Sequence, residues 1–192
     1  MTGKEILFFD EHSIQMSHHP SPTKHYVMHI GERSLMHSLA DLSTSIGGHI
    51  LEVGFGMGIS ANRIQENKSI LSHTIIEVHP DVLNRAVIWA KDKPNVTILL
   101  GDWIDVIPNI KNKKFDGVLH DTCADPNIDK FIDIVTPICN KNCIVTFFLN
   151  RNDEELNTFI HKFEDEDYDT IPYKNNSDFI DRTYKLKYKI IT

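Results

Sequence analysis

Residues 50–61 constrain this chain more than any other part of its sequence. They begin with a short, mostly apolar run, continue through closely spaced glycines at 54, 56 and 58, and lead into the residues that follow the turn. The apolar residues are typical of a buried parallel strand, and the residues after the glycines suit a helix. Glycine at such a turn lets the backbone approach a ligand closely, because no Cβ stands in the way. The helix that follows directs its free N–H groups to the same place. The stretch therefore predicts a strand, a tight turn and a helix around a pocket of nucleotide size.

Segments of strand length alternate with segments of helix length along most of the chain. Apolar residues at helical spacing predict helices over residues 32–46, 59–65, 81–91, 103–107, 128–139 and 154–163. Short apolar runs predict strands at residues 50–54, 73–78, 96–100, 115–120, 143–149, 168–171 and 183–191. This alternation indicates a doubly wound, mostly parallel α/β sheet. The predicted sheet is Rossmann-like and has seven strands. It is mostly parallel, with an antiparallel strand at the C-terminus.

The 192 residues are predicted to form one domain, residues 1–192. Within it, residues 1–31 are predicted to form a distinct N-terminal segment. Residues 1–31 are rich in turn-forming and aromatic residues and show weak periodicity. We interpret this segment as a lid that folds over a pocket. The alternative is a poorly ordered terminus.

Charge and cysteine content limit the classes of partner. The formal net charge of −7 and the pI of about 5.8 argue against nucleic acid or an anionic membrane as the main partner. No apolar run is long enough to span a bilayer, and residues 1–5 lack the pattern of a secretory signal. Three cysteines make no disulfide framework, so we expect a cytoplasmic protein. The histidines and cysteines follow no standard ligand spacing, so we expect no bound metal. The oligomeric state is left open between a monomer and a homodimer.

Two nucleotide ligands fit a glycine turn of this kind. Gly56, Gly58 and Ala61 follow the spacing of a dinucleotide-binding fingerprint, and an acid, Glu77, comes about 20 residues later. S-adenosylmethionine is the second candidate, and Glu52 favours it. Glu52 lies inside the predicted strand, where a buried carboxylate needs a cationic or donor partner. The sulfonium and amino groups of S-adenosylmethionine would supply that partner.

Polar residues at the ends of the next two predicted strands also favour S-adenosylmethionine. Glu77 is placed to accept hydrogen bonds from both ribose hydroxyls. Asp102 could accept from the adenine amino group, and Trp103 could cover the ring. Ligands bind at the carboxyl ends of the strands in open α/β sheets. A nicotinamide-dependent enzyme would usually need a second substrate domain, for which the chain has no room. Taken singly, Glu77 could be a surface carboxylate and Trp103 a core aromatic residue.

Three segments of the chain form a specific set: Glu32 with Leu-Met-His-Ser-Leu-Ala at 35–40, Gly-Gly-His-Ile-Leu-Glu-Val-Gly-Phe-Gly-Met at 47–57, and Phe-Asp-Gly-Val-Leu-His-Asp-Thr at 115–122. They resemble the class I S-adenosylmethionine-dependent methyltransferases, and more narrowly the family of guanidinoacetate N-methyltransferase and its arginine-methylating relatives. Together with Ile-Ile-Glu at 75–77 they fit the family in order and spacing, and the resemblance covers about residues 27–122. Beyond it, Cys123 stands where the family usually carries an aromatic residue, and residues 140–142 replace its usual glycine pair.

The resemblance implies roles for individual residues. Glu32 matches a helix glutamate that holds the guanidine, and Asp121 matches a strand-end aspartate that binds the guanidine and takes its proton. Glu77 matches the ribose ligand, Trp103 an adenine neighbour, and Met28 a residue of the N-terminal segment over the cofactor. The predicted cofactor-binding residues are Met28, Glu52, Gly54, Phe55, Gly56, Met57, Glu77, Val78, Gly101, Asp102, Trp103 and Asp121. The predicted substrate-binding residues are Glu32, Met36, Asp121 and Thr122.

The chemistry expected of Glu32 and Asp121 follows from the charge of a guanidinium. With a pKa of about 12.5–13.8, it has no free lone pair at neutral pH, so the site must orient it and remove a proton as the new bond forms. Two carboxylates suit this, because their oxygens pair with guanidine N–H groups in a forked geometry. From the residues alone, Glu32 could be an acid favoured at a helix start, and Asp121 a capping residue.

The predicted function is methylation of a small guanidine, which could be guanidinoacetate-like, arginine-like or cyclic. Three alternatives stay open. One is a methyltransferase for another amine or a hydroxyl, with Asp121 as the general base; the others are a cofactor-binding module without turnover and a nicotinamide-dependent reductase. His120 precedes Asp121 directly and is expected to face away from the site, because neighbouring residues in a strand alternate between faces.

Overall fold

The computed structural model describes residues 5–18, 24–123, 130–147, 168–174 and 183–192. The strands are β1 Glu5–Phe9, β2 Ser13–His18, β3 Lys24–His29, β4 Gly48–Val53, β5 Ile70–Glu77, β6 Val96–Leu100, β7 Phe115–His120, β8 Cys139–Phe147, β9 Tyr168–Lys174 and β10 Thr183–Ile190. The helices are α1 Arg33–Ser43, α2 Ile59–Glu66, α3 Pro80–Ala90, α4 Trp103–Val106 and α5 Phe131–Val135. The predicted helix over residues 154–163 lies outside the described residues.

The large sheet has the strand order β6-β5-β4-β7-β8-β10-β9. Strands β4 to β8 are parallel to one another, and β10 is antiparallel to both β8 and β9. The prediction of an α/β fold with a mostly parallel sheet is therefore confirmed. From β4 the chain adds β5 and then β6 on one side, and it returns to add β7 on the other side of β4. The boundary between β4 and β7 is thus a topological switch point, where open α/β sheets form a crevice for ligands.

Core side chains on the two faces of the sheet alternate along its central strands. Leu51, Val53 and Val118 pack into one cluster with residues of α5 and β8. Ile50 and Leu119 point to the opposite face, where they pack against α1 and α2. A strand buried on both faces is apolar on both, and β4 follows this pattern at residues 50, 51 and 53 but carries a buried acid, Glu52. None of the helices in the described part of the chain combines the length and the apolar character that a membrane span requires.

Two predicted helix ends were wrong, and each has a local cause. Helix α1 ends at Ser43 rather than at residue 46. The N–H of Thr44 and the hydroxyls of Ser43 and Thr44 all donate to the carbonyl of Ala40, and the chain then turns at Gly47, whose φ is 70°. Ile46, expected on the apolar face, is 52% exposed. Helix α5 ends at Val135 instead of at residue 139, because a 3₁₀ turn containing Pro137 follows it.

The N-terminal segment is neither irregular nor helical in its described part. β1, β2 and β3 form an antiparallel sheet of their own. Leu7 and Phe9 pack against a cluster that contains Phe55 of the glycine turn. The guanidinium of Arg85 on α3 lies 4.1 Å from the centre of the Phe9 ring. The N-terminal sheet therefore covers the side of the glycine turn that α3 also borders, and it remains a proposal that this sheet acts as a lid.

Candidate active site

The glycine turn lies at the switch point between β4 and β7. Gly54, Gly56 and Gly58 have φ angles of 89°, 53° and 73°, a region in which residues with a Cβ are rare. A Cβ on Gly54 would collide with the backbone carbonyl oxygen of Asp121. The N–H of Asp121 donates to the carbonyl of Val53 at 2.9 Å. The ends of β4 and β7 therefore approach so closely that only glycine fits at residue 54.

Glu77 ties the end of β5 to the glycine turn. One carboxylate oxygen accepts a hydrogen bond from the N–H of Phe55 at 2.9 Å, and the other accepts from the N–H of His79 at 2.8 Å. Glu77 is buried, with 7% of its surface exposed. Each oxygen keeps a second lone pair, so the carboxylate can still accept hydrogen bonds from a diol. The placement suits the predicted contact with ribose, which stays a prediction.

Replacing Glu77 by Gln is expected to weaken both the fold and cofactor binding. The amide nitrogen cannot accept a hydrogen bond, so one of the two backbone N–H groups would face another donor. We expect a loss of about 1–3 kcal/mol in the free energy of unfolding, measured by urea denaturation. The thermal shift produced by S-adenosylhomocysteine should also decrease. Glu66→Gln, on the exposed side of α2, is the matched control; equal losses in the two variants would contradict this role of Glu77.

Met28 on β3 contacts the glycine turn directly. Its sulfur accepts a hydrogen bond from the N–H of Met57 at 3.2 Å, and a Cβ on Gly56 would lie 2.7 Å from the same sulfur. Met28 is buried in the cluster that also contains Leu35. Met28 therefore links the N-terminal sheet to the glycine turn, and its position over a bound cofactor stays a prediction.

The end of β6 contributes less to the site than the sequence suggested. Trp103 is only 5% exposed and packs edge-on against the rings of His120 and Phe131, at centroid distances of 5.7 and 5.2 Å. Trp103 is therefore mostly buried, and its contact with the adenine ring stays a prediction. Asp102 is exposed, and its carboxylate accepts a hydrogen bond from the N–H of Ile104 as the cap of α4. Gly101 before it has a φ of 142°.

Glu32 stands in a 3₁₀ turn that immediately precedes α1. Its Oε1 accepts a hydrogen bond from the N–H of His29 at 2.9 Å, while the N–H of Gly31 donates to Nδ1 of His29. This reciprocal pair is a capping box, which fixes the direction of the side chain. Burial raises the pKa of the Glu32 carboxyl group, although the hydrogen bond from His29 acts in the opposite direction. Glu32 therefore caps the turn and is also a half-buried acid.

Asp121 follows β7 at its carboxyl end, beside the glycine turn. Burial, as the largest cause, and the negative charges of Glu32 and Glu52 together raise its pKa to about 7. The negative charges that act on Asp121 therefore come from two other elements, β4 and the turn before α1. His120 is buried on the opposite face with Trp103 and Phe131, as alternation along the strand predicts.

The remaining predicted residues divide between the cleft and the core. Thr122 has its methyl group 3.5 Å from the point where a Cβ on Gly54 would stand, so it borders the glycine turn. Val78 is half-buried after the end of β5, and Phe55 is buried under the N-terminal sheet. Met36 is fully buried in the cluster of α1, α2 and β4. The predicted contact of Met36 with the substrate stays a prediction.

Glu52 has partners that the sequence argument did not foresee. It is fully buried; Ser60 donates to its Oε1, and Nε2 of His73 lies 2.9 Å from its Oε2. The partner that was sought in the cofactor is therefore supplied by α2 and β5. The sequence carried a usable signal, since a polar serine follows the turn and a histidine opens the next apolar run.

The residues at this edge of the sheet suit S-adenosylmethionine. Three glycines with positive φ let the turn pack closely against Met28, Phe55 and Asp121, and α2 begins directly after it. Glu77 offers free lone pairs at the end of the neighbouring strand, and the carboxylates of Glu32 and Asp121 complement a cationic ligand. Within the described residues, no group of three His, Cys, Asp or Glu side chains is arranged to hold a metal ion.

Comparisons with known proteins agree with this site. The family described as guanidinoacetate N-methyltransferase matches residues 15–132. Protein arginine N-methyltransferase 2 of Yarrowia lipolytica is 36% identical over 134 residues, which are 64% of this chain and 28% of that protein. The N-methyltransferase NodS of Bradyrhizobium japonicum covers 84% of this chain and 96% of its own, with a TM-score of 0.65 and 17% identity. An O-methyltransferase of Bacillus cereus, solved with S-adenosylhomocysteine, covers 83% of this chain and 81% of its own, with a TM-score of 0.65 and 13% identity.

The fold is therefore that of the S-adenosylmethionine-dependent methyltransferases. Since the family match covers more than half of the sequence, the chain belongs to the guanidinoacetate N-methyltransferase family. It spans about a quarter of the length of the curated arginine methyltransferases that it matches, such as the 28% of the Yarrowia lipolytica protein.

Proposed function

We propose that the protein methylates a nitrogen of a guanidine compound, and that Glu32 and Asp121 hold the guanidine. The observation that carries this proposal is the pair of half-buried acids from different elements at the glycine turn, in which the charge of Glu32 helps to raise the pKa of Asp121 to about 7. Two acids that repel each other in a cleft create a site for a cation. A guanidinium can donate hydrogen bonds to two carboxylates at once, because its N–H groups diverge in one plane.

Glu32 and Asp121 have different tasks in this proposal. Glu32 uses one oxygen as a cap for the N–H of His29, which leaves the other oxygen to orient a guanidine N–H. Asp121 binds the attacking nitrogen and accepts its proton as the new N–C bond forms, because a carboxyl group with a pKa near 7 is a stronger base than an ordinary aspartate. S-adenosylmethionine, when bound, supplies a methyl group that is already electrophilic. The proton lost by the guanidinium is therefore carried by Asp121.

The substrate class rests on the same cation site. The family match and the arginine-methylating relatives support a guanidine, and they fit free arginine, guanidinoacetate and a peptidyl arginine equally. A panel of guanidinoacetate, arginine, a cyclic guanidine and an arginine peptide, assayed with labelled S-adenosylmethionine, tests the proposal. Label in one guanidine product supports it. Stabilisation by S-adenosylhomocysteine without any methylation would instead favour a binding module.

A second candidate is methylation of another amine or of a hydroxyl. The observation that favours it is the capping role of Glu32, which accounts for that residue without a substrate. Asp121 would then act alone as the general base. An amine and alcohol panel run beside the guanidines separates the two candidates. Asp121 should be required for both, whereas Glu32 should be required for guanidines only.

Methyl transfer is expected to increase with pH in the acidic range. The pKa of Asp121 is raised to about 7, so below that pH the group is largely protonated and can neither bind a cation nor accept a proton. kcat/KM for the guanidine should therefore rise with pH to a plateau, with a midpoint no higher than about 7. Bound cations can only lower this midpoint, because they favour the carboxylate. A rate that is constant from pH 5 to pH 8 would contradict Asp121 as the base.

A further inference from the structure

His29 ends β3 and begins the short turn that carries Glu32. Its Nδ1 accepts a hydrogen bond from the N–H of Gly31 at 3.0 Å. A backbone N–H can only donate, so this ring nitrogen bears no hydrogen, and the imidazole is neutral with its hydrogen on Nε2. The ring also meets the ring of Tyr26 edge-on, with 5.6 Å between the centroids. The side chain of His29 is therefore a fixed acceptor that caps the turn, a task more often given to Ser, Thr, Asp or Asn.

The carboxylate of Glu32 closes the same turn from its other end. Its Oε1 accepts a hydrogen bond from the N–H of His29 at 2.9 Å. A single 3₁₀ turn of three residues has little stability of its own, because it fixes several backbone angles for few hydrogen bonds. The bond from Gly31 to the ring keeps residues 29 and 32 close enough for the carboxylate to reach. The orientation of Glu32 thus depends on the ring of His29.

β3 also anchors this turn beside the glycine turn. Met28 precedes His29 directly, and its sulfur accepts a hydrogen bond from the N–H of Met57 at 3.2 Å. The carboxylate of Glu32 is bonded to the N–H of the very next residue. Consecutive residues of β3 therefore hold the turn in which the cofactor is expected and the acid that is expected to bind the substrate.

We propose that His29 is a positioning residue, whose neutral imidazole holds the turn in the shape that keeps the carboxylate of Glu32 directed at the guanidine. This inference rests on the proposed function of Glu32. His29 then acts on the substrate through Glu32 and does not touch it. A carboxylate that is already oriented loses less conformational freedom when the ligand binds. Since Asp121 takes the proton in the proposed reaction, His29 should affect the affinity for the guanidine more than the rate of methyl transfer.

The direct test is hydrogen exchange at the amide of residue 29, followed by NMR, because Glu32 accepts the hydrogen bond of that N–H. His29→Phe keeps a ring but removes the acceptor. Relative to the intrinsic rate of each sequence, the amide should then exchange about 5–30 times faster than in the parent. His29→Asn should restore slow exchange, since the amide oxygen of Asn can accept from the N–H of Gly31. His29→Ala serves if the phenylalanine ring prevents folding.

Steady-state kinetics supply a readout that a merely structural role would not move. At saturating S-adenosylmethionine, His29→Phe should raise KM for the guanidine about 3–10-fold, with a much smaller change in kcat. His29→Asn should restore the KM of the parent. In a Glu32→Ala background, His29→Phe should leave KM nearly unchanged, because the carboxylate that His29 positions is absent.

His49→Phe is the matched control. His49 is also a half-buried histidine with a hydrogen-bonded Nδ1, which lies 2.8 Å from Oγ of Ser72. It stands near the start of β4, at the opposite end of that strand from the glycine turn. Its replacement should leave the exchange at residue 29 and KM for the guanidine unchanged. Equal effects in His49→Phe and His29→Phe would reflect a general loss of stability and would overturn the inference.

The outcomes separate this inference from the proposed function, because amide exchange needs no turnover. Unchanged exchange at residue 29 in both His29→Phe and His29→Ala would refute the role of His29. Faster exchange without methylation of any guanidine would refute the proposed substrate and still support the placement of Glu32 by His29. Methylation of a guanidine with the same KM in His29→Phe as in the parent would show that this placement does not serve the substrate, and the inference would be wrong.

Discussion

Asp121→Asn is expected to lower kcat for guanidine methylation by a factor of about 10²–10⁴, the usual range for the loss of a general base. The amide is nearly isosteric with the carboxyl group but can accept no proton, and it carries no charge for the guanidinium. The affinity for S-adenosylhomocysteine should change much less, since the glycine turn and Glu77 remain. Initial rates with labelled S-adenosylmethionine, together with thermal shifts for the product, measure the two effects separately.

Stability measurements show whether Asp121→Asn loses activity because the base is gone or because the protein unfolds. Because burial and two acids raise the pKa of Asp121 to about 7, folding favours its protonated form. The contribution of Asp121 to stability is therefore complete below its unfolded pKa and decreases as the pH rises through 7. Asn cannot ionise, so Asp121→Asn should be at least as stable as the parent at pH 8. An inactive variant that is also unfolded at pH 8 would leave the catalytic role without support.

Glu32→Gln and Asp133→Asn are the matched variants for this experiment. Gln can still accept the hydrogen bond from the N–H of His29, so the capping box is kept while the charge is lost. We expect Glu32→Gln to raise KM for a guanidine and to lower kcat less than Asp121→Asn. Asp133 is exposed in the first turn of α5, and Asp133→Asn should be as active as the parent. Unchanged guanidine methylation by Glu32→Gln, with none by Asp121→Asn, would show that the two acids do not form a clamp.

Gly54→Ala is expected to lower the free energy of unfolding by more than about 3 kcal/mol and to abolish cofactor binding. Gly54 has a φ of 89°, which alanine rarely adopts, and its new Cβ would collide with the backbone carbonyl of Asp121. A backbone group at the junction of two buried strands cannot move aside without disturbing both. Urea denaturation and the thermal shift with S-adenosylhomocysteine measure the two losses.

Gly101→Ala is the comparison for this substitution. Gly101 also has a positive φ, of 142°, but a Cβ there would meet only a methyl group of Val106, at 2.7 Å. A side-chain methyl can rotate away, so the loss of stability should be clearly smaller than for Gly54→Ala. Equal losses would mean that backbone conformation alone governs both positions. The close approach of β4 and β7 would then have no separate energetic effect.

Much of the fold could be predicted, because apolar periodicity and glycine spacing are local signals. The strands at 96–100 and 115–120 lie where the pattern indicates, and the glycine turn joins β4 to α2 as expected. Helix ends were less predictable, since Ser43 and Thr44 compete for a carbonyl through their side chains and the sequence at 44–46 still looks helical. The N-terminal strands were missed because their alternation is weak, although each pairs with the strand next to it in the chain.

The roles of site residues could likewise be predicted where they depend on local signals, but not where they depend on tertiary contacts. Glu77 and the glycines could be predicted because strand ends in a parallel sheet meet at one edge. Trp103 and Met36 could not be placed, since an aromatic or apolar residue near a strand end packs into the core or faces the cleft according to contacts with other elements. Phe131 and His120, which enclose Trp103, come from other segments of the chain.

The sequence by itself determined the parallel α/β sheet, the glycine turn at its centre and the acids available at the strand ends, because each depends on neighbours within a few residues. Only the tertiary structure decided which acids share a cleft. It brought Glu32 close enough to affect Asp121, and it gave Glu52 its partners Ser60 and His73. The physical reason is that proton affinity depends on distances between charges and on burial, and both are set by packing between segments that lie far apart in the chain.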